Sequence, residues 1–205
     1  PLVKKIKELG MTSCAITDHG VMYGLYEFWS ECKANDIKPI IGCEVYVAKR
    51  RRFDKDPKKD KRRYHLTLLA KNEVGYHNLI KLCSLAHLEG FYTKPRVDKE
   101  LLKKYSEGII ATTGCAASPV NRNLIHGKIK TAYKWAEFFK ENNSGVGVSL
   151  DGPSFIQNKT RPTASGTGSF DKVMRGVNLL RDKKIRVNAI AVITKFSVNY
   201  PEEVF

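Results

Sequence analysis

The sequence predicts an α/β fold built from parallel-strand β/α units, on three observations. Helix-like and strand-like segments alternate along the 205 residues. The strand-like segments are nearly continuous apolar runs, which is typical of strands covered on both faces in doubly wound sheets or barrels. Polar residues with metal-binding chemistry stand at or near the ends of these segments, where such folds collect their sites.

The first half of the chain supplies three strands and three helices before residue 97. Leu2, Ile6 and Leu9 form one apolar helix face, and Gly10 ends that helix. A short buried strand then leads to the polar tip TDHG. The predicted segments in order are helix 2–9, strand 13–20, helix 22–35, strand 38–47, strand 64–70 and helix 73–88.

The second half continues the alternation. GIIATTG and VGVSLDG are apolar runs bounded by glycine, and FDKVMRGVNLLRDKKI has a strongly amphipathic helical pattern. The predicted segments in order are helix 98–105, strand 108–114, one long or two short helices over 118–141, strand 146–152, helix 170–185 and strand 186–194. We therefore expect about six parallel strands.

Composition restricts the class of protein. Hydrophobic residues make up 42% and charged residues 28%, which favours a globular chain. No apolar run approaches the roughly 20 residues that cross a membrane, so we expect no membrane partner. Five widely spaced cysteines favour a reducing cytoplasm over a disulfide framework. The start lacks both Met and a signal peptide, which indicates an incomplete N-terminus.

The net charge of +15 is concentrated in residues 49–63, which hold ten basic and three acidic residues. Such a run can neutralise nucleic-acid phosphates, and a solvated, mobile loop is the alternative interpretation. The loop GFYTKPRVD adds two further cations. The candidate DNA-binding residues are Arg50, Arg51, Arg52, Arg62, Arg63, Lys94 and Arg96.

Four potential metal ligands lie at or near strand ends: His19, Glu44, His65 and Cys115. Imidazole, carboxylate and thiolate together suit Zn, Mn or Fe better than Mg or Ca. Glu44 lies inside an apolar strand, and burying an unpaired carboxylate is costly, so it needs a metal or a basic neighbour. The alternative for each histidine alone is a structural role at the end of a strand. His65 stands near the start of its strand, which is less typical.

Five blocks of the sequence resemble the PHP (polymerase and histidinol phosphatase) domain of bacterial replicative DNA polymerase III alpha subunits. In order, they are AITDHGVMYGLYEF, IKPIIGCEVYV, YHLTLLAKNEVGYHNLIKL, GFYTKPRVDKELL and TGCAASPVNRNLI. The resemblance covers about residues 1–141. It implies a distorted TIM-like β/α barrel with up to three metal ions, which is a 3′-5′ exonuclease in some members and structural in others.

The resemblance also implies that His19, Glu44, His65 and Cys115 are metal ligands, with Zn or Mn, or Mg, as the metal. Two other ligand motifs of the family are not found: a His-x-His pair that should precede residue 1, and an Asp-x-His pair after residue 141. The implied partners are DNA and other replisome subunits. We expect the chain alone to hydrolyse DNA poorly or not at all.

Residues from about 145 to 205 resemble a different family, the radical S-adenosylmethionine enzymes of the anaerobic sulfatase-maturase type. The blocks are SLDGP, RPTASGTGSFDKV and VNAIAVIT. The resemblance implies S-adenosylmethionine contacts for Ser149 and Arg161, and an iron–sulfur cluster in the parent enzyme. The CxxxCxxC motif that would hold such a cluster is absent, so we expect no cluster here.

FFKENNSGVGVSLDGP, residues 138–153, therefore has the pattern of a join between two unrelated segments. The sequence predicts a partial PHP domain over 1–141 and a partial radical-enzyme barrel over 142–205. The predicted function is that of a replicative polymerase PHP fragment with a metal-dependent phosphoesterase site. The alternatives are a radical S-adenosylmethionine enzyme fragment and a non-catalytic, basic DNA-binding module.

Overall fold

A mixed sheet organises the first of the two units into which the chain divides, residues 1–111 and 112–205. The computed structural model describes residues 2–113, 116–142, 146–163, 166–182, 184, 187–191 and 194–204. The elements that begin in the first unit are α1 Leu2–Glu8, β1 Ser13–His19, α2 Leu25–Ala34, β2 Lys38–Ala48, β3 Arg63–Ala70, α3 Glu73–Leu88, β4 Arg96–Val97, α4 Lys99–Lys104 and β5 Ile109–Thr112.

The strand order in this sheet is β1-β2-β3-β5, and the short β4 also pairs with β2. β1 and β4 run parallel to β2, which confirms the α/β class with parallel strands. β3 runs antiparallel to β2, so the expectation of parallel strands throughout was wrong. The physical reason is the connection: residues 49–62 contain no helix, and a parallel return needs a crossover of a dozen or more residues, usually helical.

The core of this unit lies mainly on one face of β2 and β3, opposite the face that carries Glu44 and His65. Cys43, Val47, Leu66 and Leu68 are buried in the sheet, and helix α3 contributes buried leucines against it. A second apolar cluster joins α1 and α2 to the start of β2, and its members are Val3, Ile6, Phe28, Cys32 and Ile37. Buried and partly exposed residues alternate along β3, so this strand is fully covered on one face only, unlike the covering of both faces that its apolar run predicted.

The second unit contains two paired strands and several helices among its described residues. Its elements are α5 Pro119–Ile125, α6 Ile129–Glu141, β6 Val146–Ser149, α7 Ser154–Thr160, α8 Phe170–Asp182, β7 Val187–Ile190, a 3₁₀ turn at Ser197–Asn199 and α9 Pro201–Val204. β6 and β7 pair in parallel. Gly127, with φ +68°, separates α5 from α6, so the two-helix alternative for 118–141 is the observed one. Helix α7 was not predicted.

No helix in the described part of the chain combines the length and apolar character needed to cross a bilayer. Four of the five cysteines lie in that part and are free thiols, namely Cys14, Cys32, Cys43 and Cys83. Cys115 lies outside the described residues. The cytoplasmic location inferred from the cysteines stays a prediction.

Candidate functional site

The ends of β1 and β2 bring the first two candidate ligands together. The strands are parallel, and His19 at the end of β1 is the register partner of Glu44 in β2. The Gly20 N–H then donates to the Glu44 carbonyl, 2.9 Å away, which carries the pairing past the end of β1. The nearest atoms of the two side chains, His19 Nε2 and Glu44 Oε1, are 3.4 Å apart.

The antiparallel β3 delivers the third candidate ligand to the same place. His65 is the register partner of Tyr46, two residues after Glu44 on the same face of β2. His65 Nδ1 lies 2.8 Å from Glu44 Oε1, and the two imidazole rings are 6.4 Å apart. Because β3 is antiparallel to β2, the start of β3 lies beside the C-terminal half of β2. The position of His65 near a strand start, unusual for a parallel sheet, follows from this reversal.

The Glu44 carboxylate thus has the basic neighbours that its burial required. Its side chain is 17% exposed, whereas His65 is 30% and His19 63% exposed. The contact with Glu44 uses Nδ1 of His65, so Nε2 is the nitrogen of this ring that could bind a ligand.

The donor chemistry of this cluster suits Zn²⁺ or Mn²⁺, because two imidazoles and a carboxylate converge. One carboxylate oxygen lies 3.4 Å from His19 Nε2 and 2.8 Å from His65 Nδ1. Among the described residues, no group of three or more His, Cys, Asp or Glu side chains has the arrangement of a formed metal site. Cys115, the fourth ligand implied by the resemblance, lies outside the described residues.

The side chain of Asp18, next to His19, binds a backbone N–H group. Its Oδ2 accepts a hydrogen bond from the Gly24 N–H at 2.9 Å, which ties the start of α2 to the end of β1. Adjacent residues of a strand point to opposite faces, so Asp18 and His19 diverge. Cys43, before Glu44, is also turned away: its thiol lies 3.4 Å from the Asp18 carbonyl. A hydrogen bond with Cys83, together with burial, raises the pKa of Cys43, so this thiol stays protonated.

The basic segment 49–62 is held by ion pairs, unlike the mobile loop that was one interpretation of its sequence. Arg50 Nε donates to Asp60 at 2.9 Å, and Arg51 contacts Asp54. Arg52 is buried and binds Asp98 at 3.1 Å, with further contacts to acidic side chains of α3's C-terminal end and α4. Three of the predicted DNA-binding arginines therefore have partners within the chain.

Arg96 is also a structural residue. It is 1% exposed, and its guanidinium donates to the backbone carbonyls of Gly90, Arg52 and Asp54 at 2.8–3.0 Å. Burial lowers the pKa of Arg96. This arginine joins the loop before β4 to the basic segment, so its guanidinium does not reach the surface where DNA would bind.

The other predicted DNA-binding residues have different surroundings. Lys94 and Arg62 are exposed, and Arg63 is half-buried at the start of β3. Lys94 Nζ lies 5.8 Å and the Arg63 guanidinium 5.3 Å from the ring centre of Tyr46. Tyr46 was not singled out from the sequence. Its position two residues after Glu44 on one strand was the available signal, because such residues share a face.

In the second unit, Arg161 is paired within the chain. Its Nε donates to Asp151 at 2.8 Å, and Thr160 Oγ1 donates to the same carboxylate oxygen. The Gln157 side chain closes the turn, since it accepts from the Asp151 N–H and contacts the Ser149 carbonyl. Ser149 and Arg161 thus flank one buried aspartate, and the role of either in cofactor binding stays a prediction.

Comparison with known proteins gives one family match. Residues 1–150 match the family described as PHP domain. The chain is 45% identical over 141 residues to a DNA polymerase III subunit alpha of Borreliella burgdorferi, covering 68% of this chain and 12% of that protein. It is 52% identical over 120 residues to the Chlamydia pneumoniae protein of the same description, covering 58% and 10%. The chain therefore spans about a tenth of the length of these curated relatives.

One solved structure, "Native anSMEcpe with bound AdoMet and Cp18Cys peptide", is also similar in part. The matched residues are 35% identical and make up 35% of this chain and 20% of the chain in that structure, with a TM-score of 0.32. A TM-score this low supports no inference about the fold or function of the second unit.

Proposed function

The chain belongs to the PHP domain family, and from this membership we propose that it is a segment of a replicative DNA polymerase alpha subunit with a metal-dependent phosphoesterase-type site. The proposed ligands are His19, Glu44, His65 and Cys115. The observation that supports this most is the convergence of His19 and His65 on one oxygen of Glu44, at 3.4 and 2.8 Å.

The chain's own residues prepare a site of this kind in two ways. Pairing of β1, β2 and β3 holds three donors at one edge of the sheet, on backbone that hydrogen bonds make rigid. The Glu44–His65 contact sets the orientation of the His65 ring. A bound Zn²⁺ or Mn²⁺ would supply Lewis-acid binding of a phosphate oxygen and activation of a water molecule.

No Asp-x-His pair follows residue 141 in this sequence, where the resemblance to the family implies one. Fewer ligands lower the affinity for metal and leave a multi-metal mechanism without its full support. We therefore propose that the chain binds metal weakly and that nucleotide release by the chain alone is slow or undetectable. DNA and replisome subunits are its proposed partners.

The alternative function, a radical S-adenosylmethionine enzyme, has less support. The Arg161 Nε that would clasp the cofactor carboxylate instead binds Asp151. The three-cysteine motif for an iron–sulfur cluster does not occur in the sequence. The second alternative, a non-catalytic basic DNA-binding module, has less support because Arg52 and Arg96 are buried, so neither is available at the surface to contact DNA.

The test of the proposal is metal binding by the chain after removal of metal with EDTA and dialysis. Titration with Mn²⁺ or Zn²⁺ in a calorimeter is expected to show binding by the wild type. Glu44→Gln and His65→Ala are each expected to weaken it about 10- to 100-fold, the usual effect of losing a metal-site residue. A parallel assay with a 3′-labelled oligonucleotide is expected to show little or no nucleotide release.

His77→Ala is the matched control, because His77 is an exposed histidine of α3 whose contact is with Glu73. It is expected to retain wild-type metal affinity. Equal affinity in the wild type, Glu44→Gln and His65→Ala would show that the metal binds elsewhere and would overturn the proposed site.

A further inference from the structure

Two free cysteines meet where helix α3 packs on strand β2. Cys43 and Cys83 are far apart in the sequence, and their thiols share a hydrogen bond in the fold. We propose that a hydroperoxide converts these two thiols into a disulfide that thiol reductants reverse, which makes the pair a redox-sensitive cross-link beside the strand ends that carry His19 and Glu44. This cross-link needs neither a bound metal nor the proposed phosphoesterase activity.

The packing of strand and helix sets the two thiols against each other. Cys43 lies on the face of β2 opposite Glu44, because successive residues of a strand alternate between faces. Cys83 lies one turn after Leu79 and one turn before Ala86, on the buried face of α3. The hydrogen bond between the thiols follows from this placement, since both elements direct their cysteine into the same contact.

The two cysteines differ in their access to solvent. Cys43 is 0% exposed, whereas Cys83 is partly exposed. The hydrogen bond with Cys43 lowers the pKa of the Cys83 thiol, and the thiolate is the reactive form of cysteine. An accessible thiol with a lowered pKa beside a second thiol is the usual arrangement of a redox-sensing cysteine. A small oxidant therefore reaches Cys83 first, and Cys43 then reacts with the oxidised product.

The reaction balances with hydrogen peroxide as the oxidant. The Cys83 thiolate attacks one peroxide oxygen, the O–O bond breaks, and Cys83 becomes a sulfenic acid while the departing hydroxide takes a proton and leaves as water. The Cys43 sulfur then attacks the Cys83 sulfur, the S–O bond breaks, and the hydroxide leaves as water with the Cys43 proton. The two thiols thus lose two electrons to the peroxide, and a dithiol reductant returns them by exchange.

Oxidation also removes a contact at the ends of the strands. The Cys43 thiol lies 3.4 Å from the carbonyl oxygen of Asp18, its register partner in β1. A disulfide sulfur has no proton to donate, so this hydrogen bond is lost when the cross-link forms. Asp18 and Cys43 immediately precede His19 and Glu44, so the change lies in the backbone that positions both side chains.

The test is mass spectrometry of the whole chain, treated briefly with hydrogen peroxide, blocked with N-ethylmaleimide and digested with trypsin. The four described cysteines fall on separable peptides: Cys14 and Cys32 on 8–33, Cys43 on 34–49, and Cys83 on 82–96. We expect peptides 34–49 and 82–96 to appear as one linked species after peroxide and to separate after dithiothreitol. Failure of the linked species to form in the folded protein would overturn the proposal.

Serine variants assign the roles of the two thiols. In Cys43→Ser the Cys83 sulfenic acid has no partner thiol, so we expect it to accumulate and to be trapped by dimedone. In Cys83→Ser we expect neither the linked species nor dimedone labelling of Cys43. Cys83→Ser replaces a partly exposed side chain, so it keeps the test decisive if Cys43→Ser fails to fold.

Cys14→Ser is the matched control, because Cys14 lies in β1 and packs against the separate apolar cluster of α1 and α2. It is expected to form the linked species to the wild-type extent. Formation of a disulfide within peptide 8–33 in place of the linked species would overturn the proposal. So would dimedone labelling of Cys43 in the Cys83→Ser protein, because the buried thiol would then be the one that the oxidant reaches.

Discussion

Lys94 and Arg96 are neighbours in the sequence and have opposite surroundings. Lys94 is exposed over Tyr46, whereas Arg96 is buried and donates to carbonyls of two separate segments. A buried guanidinium is tolerated only when its N–H groups have partners. The carbonyl oxygens of two loops supply them, so Arg96 stabilises these loops, whereas Lys94 stays exposed.

Arg96→Lys is expected to destabilise the protein by roughly 2–4 kcal/mol, because an ammonium cannot reach all these carbonyls and leaves buried acceptors without donors. Chemical denaturation followed by circular dichroism measures the change in free energy of unfolding. Lys94→Gln is the matched control and is expected to change stability by less than about 0.5 kcal/mol. A stable Arg96→Lys protein would contradict the structural role of Arg96.

Asp60 makes part of the stability depend on pH. Its carboxyl is buried, and the hydrogen bond from Arg50 lowers its pKa below the ordinary value of 3.8. A group whose pKa is lower in the folded protein stabilises the fold above its unfolded pKa. That contribution is lost as the pH falls through the folded pKa.

The expected result is a fall in the free energy of unfolding as the pH is lowered below 3.8. Asp60→Asn and Arg50→Gln should both make this fall shallower, since either change removes the pair. Urea unfolding at a series of pH values, from about pH 5 downwards, measures how the free energy of unfolding changes with pH. If Asp60→Asn keeps the wild-type slope, the acid sensitivity comes from other carboxyls.

At the scale of elements, the orientation of β3 decides the geometry of the site. A parallel β3 would place its start at the opposite edge of the sheet from the end of β1. The observed antiparallel pairing places His65 opposite Tyr46 and within reach of Glu44. The segment 49–62 makes this reversal possible, because its arginines and aspartates pair with one another and with α4.

Helix α3 begins at another close contact. The Asn72 side chain caps it by accepting from the Gly75 N–H at 3.0 Å. Gly75 packs directly on Gly108, which has φ +69°, and a Cβ at Gly75 would overlap the Gly108 carbonyl oxygen. Glycine is needed here because backbone meets backbone.

The variant Gly75→Ala shows which of two opposing effects on stability is larger, the gain in helix propensity or the overlap with Gly108. Propensity alone favours alanine by about 1 kcal/mol. Overlap with the Gly108 backbone opposes it, and we expect a net destabilisation of about 2 kcal/mol. Gly176→Ala is the control, because a Cβ in the middle of α8 meets only the side chain of Leu124, which can move. A drop in thermal midpoint for Gly75→Ala but not Gly176→Ala supports the contact, and equal midpoints contradict it.

At the scale of the whole molecule, the family match and the division into units end at different places. The PHP match extends over residues 1–150, whereas contacts divide the chain between residues 111 and 112. The predicted boundary at residue 142 agrees with neither, and it stays a prediction, as does the radical-enzyme resemblance of the second segment. Every described ligand candidate lies in the first unit and within the residues that match the family.

Much of the fold could be predicted from the sequence, because its signals are local. Apolar runs and amphipathic periods predicted β1, β2, β3 and α3 nearly to the residue. The two-residue β4 and the short α7 were missed, since elements of that length leave no period to detect. Five blocks of residue types also predicted the PHP family, which the match over residues 1–150 confirms.

The sequence by itself determined the elements, the family and the candidate ligand types, because these depend on residue identity and near neighbours. Only the tertiary structure decided that β3 runs antiparallel and that His19 and His65 meet at Glu44. It also decided that Arg52 and Arg96 are buried whereas Arg62 and Lys94 are exposed. Those outcomes depend on contacts between residues far apart in the chain, where burial and pairing outweigh any local preference for exposure.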